Sequence, residues 1–211
     1  MPKTVADIIA AVNQEWNHWG KSSWNLITGK INIAHKDDDR NFAKYVIANY
    51  NRIGGGSPSE LDIMNDHYFW SAVGISFVFH AAGFNKSEFP FAQAHSVWIR
   101  KFIAAKKAND PTALYHGYKL HDPQATPDVG DLIGYTYAKV SHQQAQAYYD
   151  KTGSYPSHTD IVVARREREI DVIGFNVLDS VTKKTIALTP SGHINDNDHK
   201  WFVVLKRKNL R

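Results

Sequence analysis

Cysteine is absent from this 211-residue chain. That removes disulfides, thiolate metal sites and any cysteine nucleophile, while saying little about compartment, because a disulfide-free protein survives in either redox setting. Long hydrophobic runs are absent as well. No stretch approaches the ~20 apolar residues that span a bilayer, and the opening MPKTVADIIAAVNQEW lacks the continuous apolar centre of a signal peptide. Synthesis in the cytoplasm without a signal peptide is therefore expected. Excess charge of one sign is small: 25 Lys and Arg against 21 Asp and Glu give a formal +4, which permits an anionic polymer as partner without calling for nucleic acid. The segment Gly54-Gly55-Gly56-Ser57-Pro58 has neither the Lys-Ser/Thr ending nor the preceding strand of a phosphate-binding loop, and reads as a connection. Despite 11 His there is no His-Glu-x-x-His pattern and no tight His/Asp cluster in the sequence, so neither a metal nor another cofactor is expected.

What is present is the composition of a folded globular domain, 43% hydrophobic, 22% charged and 12% aromatic. Val5, Ile8, Ile9, Val12, Trp16 and Trp19 stand at helical spacing behind Thr4 as N-cap. Phe42, Tyr45, Val46, Tyr50 and Ile53 repeat the pattern over 40–53. Residues 71–82, SAVGISFVFHAA, are apolar on nearly all sides and end at Gly83, which predicts a buried helix closed by a left-handed glycine. A further helix is expected over 92–108, with Ala94, Val97, Trp98, Phe102 and Ile103 inward and Arg100, Lys101, Lys106 and Lys107 in solvent. Beyond Pro111 the texture changes to short β-branched and aromatic runs at 132–137, 161–164, 169–177, 184–188 and 201–206. Arg165–Arg168 reads as a hairpin turn that sets Asp160–Ala164 antiparallel to Ile170–Phe175. Helices first and strands afterwards predict a single α+β domain, with residues 1–65 as a helical extension before a core at 66–211.

Three polar residues occupy positions where apolar ones are expected: Ser71 at the start of the buried helix, His158 just before a strand and Asn176 near the end of its hairpin partner. They form a candidate nucleophile, base and orienter. A helix N-terminus offers unpaired N–H groups, here including that of Ala72, to a developing oxyanion. Asp160, two residues after His158 and so on the same strand face, competes with Asn176 for the orienting role. The plain alternatives are an N-cap for Ser71 and a strand-edge histidine bonded to backbone for His158. Trp70 and His95 are the candidates for substrate contact, although a satisfied buried histidine fits His95 equally well.

The run Phe69-Trp70-Ser71-Ala72-Val73-Gly74-Ile75-Ser76-Phe77-Val78 resembles the segment that opens the central helix of papain-like cell-wall hydrolases of the NlpC and CHAP type. Pro127-Asp128-Val129-Gly130-Asp131-Leu132-Ile133 resembles their entry to the first core strand. His158-Thr159-Asp160-Ile161-Val162-Val163 is similar to their catalytic-histidine strand, and Ile173-Gly174-Phe175-Asn176-Val177 to the strand after it. Within that superfamily the chain is most similar to the domain-of-unknown-function family 2272, through Trp70-Ser71-Ala72, Phe89-Pro90-Phe91-Ala92-Gln93-Ala94-His95 and Asn176-Val177-Leu178-Asp179-Ser180-Val181. The resemblance covers about residues 66–190.

It implies a papain-like fold, a buried central helix on an antiparallel sheet, and amidase or peptidase activity on peptidoglycan stem peptides. Ser71 stands where the superfamily has cysteine, and a hydroxyl, unlike a thiol, must lose its proton during attack, so His158 would serve as a true general base. The setting implied is an antibacterial secretion-system effector or a phage lytic enzyme acting in a target cell's periplasm, with an immunity or carrier protein as partner. A papain-like module that binds wall fragments or a partner protein without turnover is the alternative. Acyl transfer or deamidation of a host protein is a third.

Overall fold

A computed structural model describes residues 3–209. Helix α1, Val5–His18, opens with a capping box in which Thr4 and Asp7 bond each other's backbone N–H. Two short strands follow, β1 Ser22–Asn25 and β2 Ile31–Asn32, and then α2 Arg40–Gly54 and α3 Glu60–Met64. Helix α4, Ser71–Ala81, is the buried helix that the apolar run predicts. It closes at Gly83, φ +87°, where Gly83 N–H donates to His80 C=O and Phe84 N–H to Phe79 C=O. Helix α5, Ser96–Lys107, starts four residues later than its pattern predicts, and Val97 is exposed rather than inward. Strands β3 Tyr115–Lys119 and β4 Leu132–Thr136, helix α6 His142–Gln146, and strands β5 His158–Arg165, β6 Glu169–Val177, β7 Ser180–Ala187 and β8 Lys200–Arg207 complete the order.

All eight strands form one sheet in the order β2-β1-β7-β6-β5-β4-β8-β3. The β5–β6 hairpin pairs as expected, with Ile161 opposite Ile173 and Arg165 opposite Ile170. The sheet is mixed rather than purely antiparallel, because β1 runs parallel to β7 from Ser22 opposite Thr182 to Asn25 opposite Thr185. The first 65 residues are thus not only helical: they extend the sheet by two strands. They also feed the core, since Trp19 stacks on Trp70 at 4.9 Å between ring centroids.

Most of the core lies between the helices and one sheet face, where Trp19, Tyr50, Trp70, Phe79, Phe102 and Phe175 are fully buried. A smaller cluster on the opposite face holds Ile133, Val162, Val172, Ile186 and Trp201. Successive residues of a strand alternate between the two faces. A Cβ at Gly74 would lie 2.3 Å from the Phe175 ring, so only glycine lets α4 settle this closely on β6. Buried Ser76 ties α4 to the loop before α5: its hydroxyl donates to Ala72 C=O and accepts from Ala92 N–H at 3.0 Å. Among the described residues no helix is long and apolar enough to cross a membrane.

Candidate active site

Ser71 is the first residue of α4, and the N-cap position before it belongs to Trp70, whose side chain makes no capping bond. The N-cap reading of the serine therefore falls. Trp70 C=O accepts from Gly74 N–H at 2.9 Å, and the N–H groups of Ser71, Ala72 and Val73 meet no acceptor among the described residues. These open donors and the helix dipole favour negative charge at the Ser71 side chain.

The serine hydroxyl turns to a histidine. Ser71 Oγ lies 2.9 Å from Nε2 of buried His95, in the loop that Ser76 anchors. The other ring nitrogen, Nδ1, receives the backbone N–H of Thr159 at 3.1 Å and lies 2.9 Å from Thr159 Oγ1. Trp98 Nε1–H donates to that same Oγ1 at 3.2 Å. Burial holds His95 well below the ordinary imidazole range, and neighbouring His158 adds to the shift.

A second buried network stands beside the first. His158 Nε2 lies 3.2 Å from Asp160 Oδ1, and Asp160 Oδ2 lies 2.8 Å from Lys184 Nζ, an ion pair without hydrogen-bond alignment. Lys184 is fully buried, with its ammonium over the rings of Tyr135 and Trp201 at 4.8 and 5.4 Å. Burial opposes ionisation of Asp160, yet Lys184 and His158 together outweigh it and hold the carboxyl below the usual range. Burial lowers His158 against the upward pull of Asp160. A Cβ at Gly174 would fall 2.0 Å from Asp160 Oδ1 and 3.1 Å from His158 Nε2, so glycine on β6 leaves the room in which this pair forms. The His95 and His158 rings are 4.7 Å apart between centroids.

The histidine at hydrogen-bond distance from Ser71 is His95, and no such bond joins Ser71 to His158. Strand alternation is the reason. Thr159 and Ile161 point from β5 toward the helices, whereas His158 and Asp160 share the face of Val162 and Ile133. Of the two expected orienters, Asp160 is the one at hydrogen-bond distance from His158. Asn176 sits at φ +52° in a bulge of β6 between Gly174 and Val177, and its side chain makes no hydrogen bond among the described residues. Trp70, expected at the substrate, is fully buried and donates from Nε1 to Asp37 at 2.6 Å. Ala72 is buried with its backbone N–H open.

Ser71 and His95 line a cleft of about 370 Å³ together with Tyr68, Gln93, Tyr137 and Tyr155. Phe69, the neighbour that sequence reading passed over in favour of Trp70, lines it too and is 67% exposed, and Tyr137 is 63% exposed. The Tyr155 hydroxyl is buried without a hydrogen-bond partner. No Lys, Arg, Asp or Glu lines the cleft.

Asp37, Asp66 and Asp179, remote in sequence, bring carboxylate oxygens within 4.8 Å of one another, a grouping that no local run of the sequence displays. Two are already engaged, Asp37 by Trp70 and Asp179 by Lys36 at 2.8 Å. Burial pushes Asp37 up to about 7, and Asp179 and Asp66 add to the shift.

No curated protein and no solved structure gives a significant match to the chain. One family model does, over residues 43–207, most of the chain and well beyond the segment that carries the resemblance. The chain belongs to that family, described as "Uncharacterized protein conserved in bacteria (DUF2272)".

Proposed function

We propose that this protein is a papain-like amide hydrolase that cuts peptidoglycan, with Ser71 as its nucleophile. The observation that carries the reading is a serine at the uncapped N-terminus of a buried helix, in a cleft, hydrogen-bonded to a buried histidine. A helix of this kind set against a sheet, with the nucleophile on its first turn, is the arrangement that the resemblance implies. Ser71 Oγ attacks the amide carbonyl, and the carbonyl π pair moves onto oxygen near the open Ala72 N–H. In this reading His158, the second imidazole beside the site at 4.7 Å from His95 between ring centroids, takes the hydroxyl proton on Nδ1, which Asp160 leaves unengaged by holding Nε2, and returns it to the departing amine; no direct Ser71–His158 bond exists before substrate binds. Water hydrolyses the acyl-enzyme by the same route.

The cleft's lining favours a neutral, hydroxyl- and amide-rich segment over one dense in carboxylates. Exposed Phe69 and Tyr137 offer faces on which sugar rings stack. This suits the amide where glycan meets stem peptide. A secreted antibacterial effector or a phage lytic enzyme, working in a target cell's periplasm with an immunity or carrier partner, is the setting proposed.

The test compares wild type, Ser71→Ala, Ser71→Cys and His158→Ala on purified peptidoglycan, with soluble products read by mass spectrometry. Product from wild type and none from Ser71→Ala and His158→Ala supports the reading, and the product mass identifies the bond. Silence from correctly folded wild type on several wall types overturns it. Tight binding of wall fragments by wild type and Ser71→Ala alike, without product, would instead make the chain a binding module.

A further inference from the structure

The proton on His95 can be placed from its neighbours. A backbone N–H is always a donor, so His95 Nδ1, which receives Thr159 N–H at 3.1 Å, is a bare acceptor. The Thr159 hydroxyl reinforces this. Its oxygen accepts from Trp98 Nε1–H at 3.2 Å, and its own hydrogen is then directed to Nδ1, 2.9 Å away. Two donors converge on one nitrogen, and a hydrogen placed there would meet both. A neutral imidazole carries one proton, so it sits on Nε2. That nitrogen lies 2.9 Å from Ser71 Oγ.

We infer that His95 is a fixed Nε2–H hydrogen-bond donor to Ser71 Oγ rather than the base that deprotonates it, with Thr159 and Trp98 as positioning residues that lock the tautomer. The part of this inference that concerns turnover rests on the hydrolase reading above; the tautomer does not. In the reaction the Ser71 hydroxyl loses its proton to His158, while His95 N–H remains on Oγ. It stabilises the negative charge that gathers on Oγ during attack, and again when Oγ departs as the acyl-enzyme is cleaved. His95 neither gains nor loses a proton over the cycle. The same donor explains how a serine serves where a thiol would ionise by itself: one imidazole takes the proton while a second holds the oxygen's charge.

The experiment has two readouts. Nitrogen-15 NMR of histidine-labelled, substrate-free protein at neutral pH, assigned with His95→Gln, reports which ring nitrogen of His95 is protonated. The expected result is a protonated Nε2 and a bare Nδ1. A proton on Nδ1, or an imidazolium, overturns the inference whether or not any substrate is cleaved. For turnover, His95→Gln keeps an N–H donor, and His95→Leu keeps none. His95→Gln should retain activity within about 10-fold of wild type, whereas His95→Leu should lose about 100- to 1,000-fold. Equal, near-complete loss in both variants, with native circular dichroism and melting, would make His95 the base and refute the donor role. Absence of turnover in wild type would sink the hydrolase reading and leave the NMR result to decide the tautomer.

Discussion

Lys184→Met is the perturbation on which the Asp160 network makes its sharpest demand. Methionine matches the lysine stem in length and keeps its packing against Tyr135 and Trp201, so the change is chiefly electrostatic. It leaves Asp160, fully buried, with His158 Nε2–H as its remaining partner. Removing one member of a buried ion pair costs about 3–5 kcal/mol, because an uncompensated charge stays behind. For a chain of this size that is a fall in Tm of about 10 °C. The pH dependence fixes the cause. Asp160 in the wild type is held below its unfolded value, so its contribution is present above about pH 4 and fades as pH falls further. The variant's Asp160 instead favours the protonated form. The gap between the two proteins should therefore be wide at pH 7 and should narrow as pH falls through about 4. Urea unfolding at several pH values reads it directly. Adding Asp160→Asn to Lys184→Met should recover most of the loss, since no buried charge remains. A single variant as stable as wild type, or a gap equal at pH 7 and pH 3.5, would refute the claim that Lys184 holds Asp160 as a buried anion.

Other outcomes follow from contacts already described. Gly174→Ala places a methyl 2.0 Å from Asp160 Oδ1 and must part the His158–Asp160 pair; a loss of about 1–3 kcal/mol in thermal unfolding is expected, with at least about 100-fold less turnover, and wild-type behaviour would show that the pair is not needed. Asp37→Asn keeps an acceptor for Trp70 Nε1–H while removing a carboxyl pushed up to about 7. Such a raised acid stabilises the fold at low pH, and that contribution is lost as pH rises through its folded value, so the variant should be about 2 kcal/mol more stable than wild type near pH 8.5 and nearly equal to it near pH 4. Replacing Phe69 and Tyr137 together with alanine should raise KM for glycan-bearing substrate about 10-fold with little change in kcat, measured by steady-state kinetics, since both are exposed cleft-lining side chains that carry no polar group bonded to Ser71.

The sequence alone determined the α+β character, the buried α4 helix and its glycine stop, the β5–β6 hairpin, and Ser71 as the residue to watch. These are local properties: helical periodicity, a Thr4 cap and a turn between two apolar runs are written within ten or twenty residues. Strand β1 escaped because Ser22–Asn25 is short and polar and becomes a strand only through its parallel partner β7. Only the tertiary structure decided which histidine meets Ser71. His95 and Ser71 are 24 residues apart, on elements whose approach is set by Gly74 against Phe175 and by Ser76 against Ala92. Whether His158 or Thr159 faces that helix turns on the register of β5, which one residue of slippage would reverse. Lys183 and Lys184 look alike in sequence, yet alternation lays the first over Trp16 and buries the second against Asp160. The bulge that holds Asn176 away from His158's hydrogen-bond partners, and the meeting of Asp37, Asp66 and Asp179, are likewise products of pairing between distant segments, which no single stretch of chain records.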